Sequence, residues 1–272
     1  MSLARELEVA TDLARQAGAL LLRYFRSDID VDRKAHGEPV TEADRGSDAL
    51  ITRGLRDAFP DDGVLSEEAD EHDSWSRARR AWLVDPMDGT KDFVGGREGF
   101  SVMIGLLEGG RPILGVVYQP TTGLCYRAAR GHGCEVQRDG EPAEPARPSD
   151  VSDPARARLV ASYSSRSPRI GEIKQRLGTT DELNVGSVGL KVGLVARGVR
   201  DLYVNPEGHC RLWDVCAPEA ILREAGGCIS DLAGNDLSYE PGQLRVRGGI
   251  VASANPVLHA EVIAKIAPLF AR

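Results

Sequence analysis

The run Trp82-Leu83-Val84-Asp85-Pro86-Met87-Asp88-Gly89-Thr90-Lys91-Asp92-Phe93 carries residue types that handle hard cations and phosphate. An apolar strand delivers Asp85 to its carboxyl end, where Pro86 fixes an extended backbone. Asp88 follows three residues later, so two carboxylates are expected to converge. Magnesium takes oxygen ligands in a near-octahedral array, which Asp85, Asp88 and the Met87 carbonyl can supply. Gly89 removes the side chain that would keep a phosphate from the backbone N–H groups, and Thr90 offers a hydroxyl to orient water. A helix starting there adds a favourable dipole for an anion. The same residues also make a good turn, being preferred turn formers.

Two further acidic features bear on the choice. Glu67-Glu68 follows the Asp61-Asp62-Gly63 turn, and Trp213-Asp214 precedes a helix. Acids at the ends of separate elements can complete a cage around two or three cations. Taken singly, Glu67-Glu68 is a solvated charge pair and Asp214 a helix cap. Cys125, Cys134, Cys210, Cys216 and Cys228 are dispersed without a CxxC pair, which argues for reduced thiols rather than a disulfide frame. The His209-Cys210 pair lacks the further ligands a zinc site needs. Neither a G-x-S-x-G elbow nor a Walker loop is present, so serine-hydrolase and nucleoside-triphosphatase chemistry lack their signatures.

The elements that must position these residues follow from periodicity. Leu3, Leu7, Ala10, Ala14, Ala17, Leu21 and Tyr24 recur at three- and four-residue spacing, the mark of a long amphipathic helix. A second helix is expected over 42–58, then strands over 81–84, 101–107, 113–118 and 124–128, the last three forming an antiparallel meander. Prolines at 142, 145, 148 and 154 mark a boundary between two halves, 1–148 and 149–272. The second half alternates: strand 158–162, helices 171–177 and 188–197, strand 201–204, helix 215–225, strands 228–230 and 249–253, and a closing helix 256–270. Such alternation suits an α/β layered domain.

At 272 residues the chain can bury a substantial core. Acidic residues number 41 against 34 basic ones, a net charge of −7 that repels a nucleic-acid backbone. Charges within 1–25 interrupt any run long enough for a signal peptide or membrane span, which leads us to expect a cytoplasmic protein without membrane partners.

Glu67-Glu68, Asp85-Pro86-Met87-Asp88-Gly89-Thr90 and Trp213-Asp214, in this order, resemble the inositol monophosphatase superfamily of lithium-sensitive, magnesium-dependent phosphatases. The likeness covers nearly the whole chain, through Gly226-Gly227 to Ala252-Ser253-Ala254-Asn255. It implies a layered α/β/α/β/α sandwich, an α+β N-terminal half and an α/β C-terminal half with the site between them. It also implies that Glu67, Asp85 and the Met87 carbonyl hold one magnesium, and Asp85, Asp88 and Asp214 a second. Asp44, in Val40-Thr41-Glu42-Ala43-Asp44, matches an acid that with Thr90 positions and deprotonates the attacking water, and Glu67 helps orient it. Attack on phosphorus is then direct and in line, with no phosphoenzyme, and lithium inhibits.

Within the superfamily the chain is most similar to 3′(2′),5′-bisphosphate nucleotidases of the CysQ type. Asp88-Gly89-Thr90-Lys91-Asp92-Phe93 and Trp213-Asp214-Val215-Cys216-Ala217-Pro218-Glu219-Ala220 carry that likeness, and Gly186-Ser187-Val188-Gly189-Leu190-Lys191 matches a nucleotide-lining segment. The resemblance implies a small phosphorylated metabolite held by Gly89, Thr90, Lys91, Ser187 and Lys191, the last meeting a second phosphate. Read without the resemblance, Lys191 is a solvated helix-surface lysine. Arg166 stands where these nucleotidases carry His. Glu207 lies seven residues before Asp214, the spacing at which inositol monophosphatases bind a ring hydroxyl, so an inositol-1-phosphate or broad sugar-phosphate phosphatase is the alternative. A non-catalytic scaffold would show a damaged motif, and every acid named is intact. Both monomers and homodimers fit the family.

Overall fold

Ala10, Ala14, Ala17 and Leu21 lie buried along one stripe of α1 (Ala4–Tyr24), as the periodicity requires. The computed structural model describes residues 3–27, 31–33, 39–69, 75–240 and 242–270. After a small ribbon of β1 (Val31–Arg33) and β2 (Pro39–Thr41), α2 (Glu42–Ala58) begins on a capping box. Thr41 Oγ1 accepts the Asp44 N–H while Asp44 Oδ2 accepts the Thr41 N–H at 2.7 Å.

A seven-stranded sheet follows: β3 (Gly63–Ser66), β4 (Arg80–Asp88), β5 (Ser101–Glu108), β6 (Arg111–Gln119), β7 (Leu124–Ala129), β8 (Gly133–Arg138) and β9 (Glu144–Pro145), in that spatial order. All neighbours are antiparallel except the β3–β4 pair. Between β4 and β5, the short α3 (Thr90–Val94) turns the chain. The second sheet has the order β11-β10-β12-β14-β13, from β10 (Leu159–Ser162), β11 (Glu182–Val185), β12 (Leu202–Asn205), β13 (Cys228–Ser230) and β14 (Ile250–Ser253). Its helices are α4 (Ile170–Leu177), α5 (Val188–Ala196), α6 (Leu212–Ala225) and α7 (Pro256–Ile266).

Helices α1 and α2 cover one face of the first sheet, and α5 and α6 fill the space between the sheets. Helices α4 and α7 pack together at the second sheet, which gives the α/β/α/β/α layering. One apolar cluster runs from Leu65, Leu83 and Met103 of the first sheet through Val192 and Ile221 to Val160 and Val251 of the second. The two sheets therefore share a core, each fully buried aliphatic side chain contributing roughly 1.5–3 kcal/mol. Gly105 and Gly115 face each other across β5 and β6, and a Cβ at either would meet Cys216 Sγ at 2.7 Å or the Ala217 carbonyl at 2.2 Å. Their missing side chains let α6 lie directly on the first sheet.

Several boundaries differ from expectation. Strand β4 runs on through Pro86 to Asp88, with a register shift between Asp85, opposite Met103, and Asp88, opposite Ser101. Helix α6 starts at Leu212, so Asp214 lies inside its first turn rather than ahead of it. The closing helix ends at Ile266, followed by a 3-10 turn over Ala267–Leu269. Strands β3, β8 and β11 were not expected; all are short and poor in the alternation that flags a strand. Among the described residues, no helix is long and apolar enough to cross a membrane.

Candidate active site

Strand β4 supplies the centre. Asp85 is 2% exposed, and its Oδ1 accepts the Met87 N–H at 3.1 Å, which fixes the carboxylate against its own strand end. Pro86 offers its carbonyl to Ser47 Oγ on α2 at 2.9 Å. Thr90 Oγ1 lies 3.2 Å from both Asp44 Oδ1 and the Met87 carbonyl. The other oxygen of Asp44 takes the Thr41 N–H and hydroxyl, so this acid caps α2 and reaches the β4 loop at once. Glu67 enters beside them, its N–H donating to the Val84 carbonyl at 3.1 Å just past the parallel β3–β4 pair.

Asp88, at the end of β4, and Asp214, in the first turn of α6, are each anchored at a helix N-terminus. Asp88 Oδ2 accepts the Ser187 hydroxyl at 2.6 Å, the Val188 N–H, and the Gly189 N–H at 3.3 Å, binding β4 to the N-terminus of α5. Asp214 Oδ2 accepts the Arg211 N–H at 2.8 Å, the first-turn position that Asp44 holds in α2. Burial dominates the shifts of Lys191, Tyr203 and Cys210, and the charges of Asp88 and Asp214 act on all three.

The donors offered by Asp44, Glu67, Asp85, Met87, Asp88 and Asp214 are all oxygens, the chemistry magnesium selects. Burial pushes the Cys210 thiol well above its ordinary pKa. The donor set therefore fits magnesium in kind. As they stand among the described residues, no three His, Cys, Asp or Glu side chains surround one point closely enough to hold an ion. Asp88 and Asp214 each give one oxygen, Oδ2, to a helix N-terminus.

The residues expected to touch substrate fare differently. Gly89 has φ +102°, and a Cβ there would stand 2.7 Å from the Gly99 carbonyl, so its glycine is needed by the turn itself. Lys91 is exposed on α3. Arg166, which stands where the nucleotidases carry His, forms a two-pronged pair with Glu182 of β11, at 2.6 and 3.0 Å. Glu207 accepts the Ser167 hydroxyl. Lys191 is not a solvated surface lysine. It is 2% exposed, and its Nζ donates to the carbonyls of Gly186 at 3.2 Å and Ser187 at 2.5 Å beneath the Tyr203 ring.

Other residues join the site without having been singled out. Asp48 stands one turn after Asp44 on α2 and accepts the Ser66 hydroxyl; its i+4 spacing was the available signal. Asp92 is buried, takes Arg97 Nε at 2.5 Å and Ser164 Oγ at 3.1 Å, and so ties the α3 turn to the end of β10. Arg97 lies over the Tyr163 ring at 5.0 Å, and that ring is 59% exposed. No local pattern announces the Asp92–Ser164 and Arg97–Tyr163 contacts, which cross between the halves.

The Inositol monophosphatase family pattern matches residues 2–269. The chain is 36% identical to the 3′(2′),5′-bisphosphate nucleotidase CysQ of Escherichia coli K12, over 86% of this chain and 94% of that one. It is 33% identical to a histidinol-phosphatase of Chlorobaculum parvum, over 96% of each chain. Among solved structures it is similar to CysQ from Bacteroides thetaiotaomicron, with a TM-score of 0.77 at 28% identity, covering 92% of this chain and 97% of that one. With that breadth of match, and with the layered fold and the acidic loops already described, the chain belongs to the inositol monophosphatase family and is a phosphatase.

Proposed function

We propose that this protein is a magnesium-dependent, lithium-sensitive phosphomonoesterase that removes the 3′-phosphate of adenosine 3′,5′-bisphosphate, or of its sulfated form, in the cytoplasm. The observation that carries the substrate is the 36% identity to the Escherichia coli bisphosphate nucleotidase. The exposed Tyr163 ring, backed by Arg97 and joined through Ser164 and Asp92 to the α3 turn, supports it, because a flat aromatic face suits a nucleobase. Histidinol phosphate is the second reading, on the strength of the histidinol-phosphatase relative that matches nearly end to end.

Magnesium, when bound by Glu67, Asp85, the Met87 carbonyl, Asp88 and Asp214, supplies Lewis acidity that lowers the pKa of water and neutralises phosphoryl oxygens. The chain's own part is geometric and acid–base. Thr90 Oγ1, held between Asp44 Oδ1 and the Met87 carbonyl, donates to one of them and keeps a lone pair for an incoming water's proton. Asp44 stands behind it as the carboxylate that receives that proton, its orientation fixed by Thr41. Glu67 orients the same water, and no covalent enzyme intermediate is required.

The test is a comparison of kcat/KM on adenosine 3′,5′-bisphosphate, inositol-1-phosphate and histidinol phosphate, each with magnesium and with chelator. The reading expects magnesium-dependent preference for the bisphosphate. A clear preference for either other ester replaces the substrate assigned here.

A further inference from the structure

A charged lysine buried in a protein core must be compensated, since removing an ammonium from water costs several kcal/mol. Lys191 Nζ meets that need with two backbone carbonyls, those of Gly186 and Ser187, and with the face of Tyr203 at 5.3 Å. Burial lowers the Lys191 pKa, and the charges of Asp88, Asp92 and Asp214 oppose that by favouring its protonated form. The two carbonyls belong to a turn in an uncommon conformation: Ser187 has φ +47°, a region a residue with a Cβ seldom occupies. Gly186 is pressed so closely on the Gly99 carbonyl that a Cβ would lie 2.0 Å from it. In this conformation Ser187 Oγ reaches Asp88 Oδ2, Ser101 Oγ and the Leu190 N–H together, and the first amides of α5 converge on the same Asp88 oxygen.

We propose that Lys191 is a positioning residue for the metal side of the site: from within the core it pins the Gly186 and Ser187 carbonyls, and through Ser187 it sets the orientation of Asp88. Acting through Asp88, its influence falls equally on every ester the enzyme hydrolyses, whereas a lysine that binds a second phosphate acts on bisphosphates alone. The proposal rests on the magnesium-dependent reading of the site and is independent of which ester is preferred.

Lys191→Met keeps the length of the side chain and removes its charge. In the full chain, magnesium binding is measured by calorimetry, and kcat/KM is measured on adenosine 3′,5′-bisphosphate and on a monophosphate at fixed magnesium. The expected result is a magnesium midpoint about 10- to 100-fold higher, the usual effect of removing a residue that orients a metal ligand, with equal loss on both substrates. Ser187→Ala, which leaves the lysine in place, is expected to move the midpoint in the same direction, and it decides the matter alone if Lys191→Met does not fold. A loss confined to the bisphosphate with an unchanged midpoint overturns the proposal and makes Lys191 a phosphate contact. A midpoint that moves in neither variant overturns this proposal alone, whereas a wild-type chain that binds no magnesium overturns it together with the metal reading beneath it.

Discussion

Thr90 Oγ1 stands 3.2 Å from Asp44 Oδ1, joining a residue in the first turn of α3 to one in the first turn of α2. This contact places a hydroxyl and a carboxylate from separate elements at the end of β4. If the pair handles the proton of the attacking water, Thr90→Val lowers kcat roughly 100- to 10,000-fold, the range of general acid–base catalysis, with little change in melting temperature. Steady-state kinetics beside a thermal melt distinguish this from unfolding, and a kcat within a few-fold of wild type removes Thr90 from the mechanism.

Asp85→Asn provides a cleaner separation of charge from structure. The asparagine oxygen can still accept the Met87 N–H, so the loop keeps its hydrogen bond while one negative charge is lost. Turnover is expected to vanish and the fold to survive, as read by kinetics and circular dichroism. Near-normal activity would deny Asp85 its bridging place between two cations.

The close seat of α6 on the first sheet makes Gly115 sensitive. A Cβ there lies 2.2 Å from the Ala217 carbonyl, so Gly115→Ala must move the helix that carries Asp214. A destabilisation of about 1–3 kcal/mol is expected, several degrees in melting temperature, together with weaker magnesium binding. Wild-type stability in this variant would show that α6 shifts without cost.

Glu182 offers a test in pH. Hydrogen bonding from Arg166, with Lys174 assisting, holds its carboxyl down at about 2, below the 4.5 of an ordinary Glu. Between these values the unfolded chain binds more protons than the folded one, so stability is present above about pH 4.5 and lost as pH falls towards about 2. Denaturation curves across this window are expected to be flatter for Glu182→Gln than for wild type. Identical slopes would mean that the ion pair is not maintained in solution.

What the sequence disclosed, and what it withheld, follow from the range of the interactions. The stripe of α1 and the meander of β5 to β7 depend on local periodicity and turn chemistry, and were legible. Strand β11 was not, because Glu182–Val185 is partly exposed at a sheet edge and lacks alternation. Lys191 misled for a different reason: an amphipathic side chain on a helix is normally solvated, and only the packing of α5 between two sheets reveals that it is enclosed. Likewise the Asp92–Arg97–Tyr163–Ser164 group joins residues that come together only once the halves fold against each other.

The central claim is that acids from β4, the end of β3 and α6 share divalent cations. Its most direct test is a diffraction structure of crystals grown with manganese in place of magnesium, recorded at the manganese absorption edge. The account predicts anomalous density within bonding distance of Asp85, with Glu67, the Met87 carbonyl, Asp88 and Asp214 as the remaining protein ligands. Manganese bound elsewhere, or density that leaves Asp85 untouched, would contradict it.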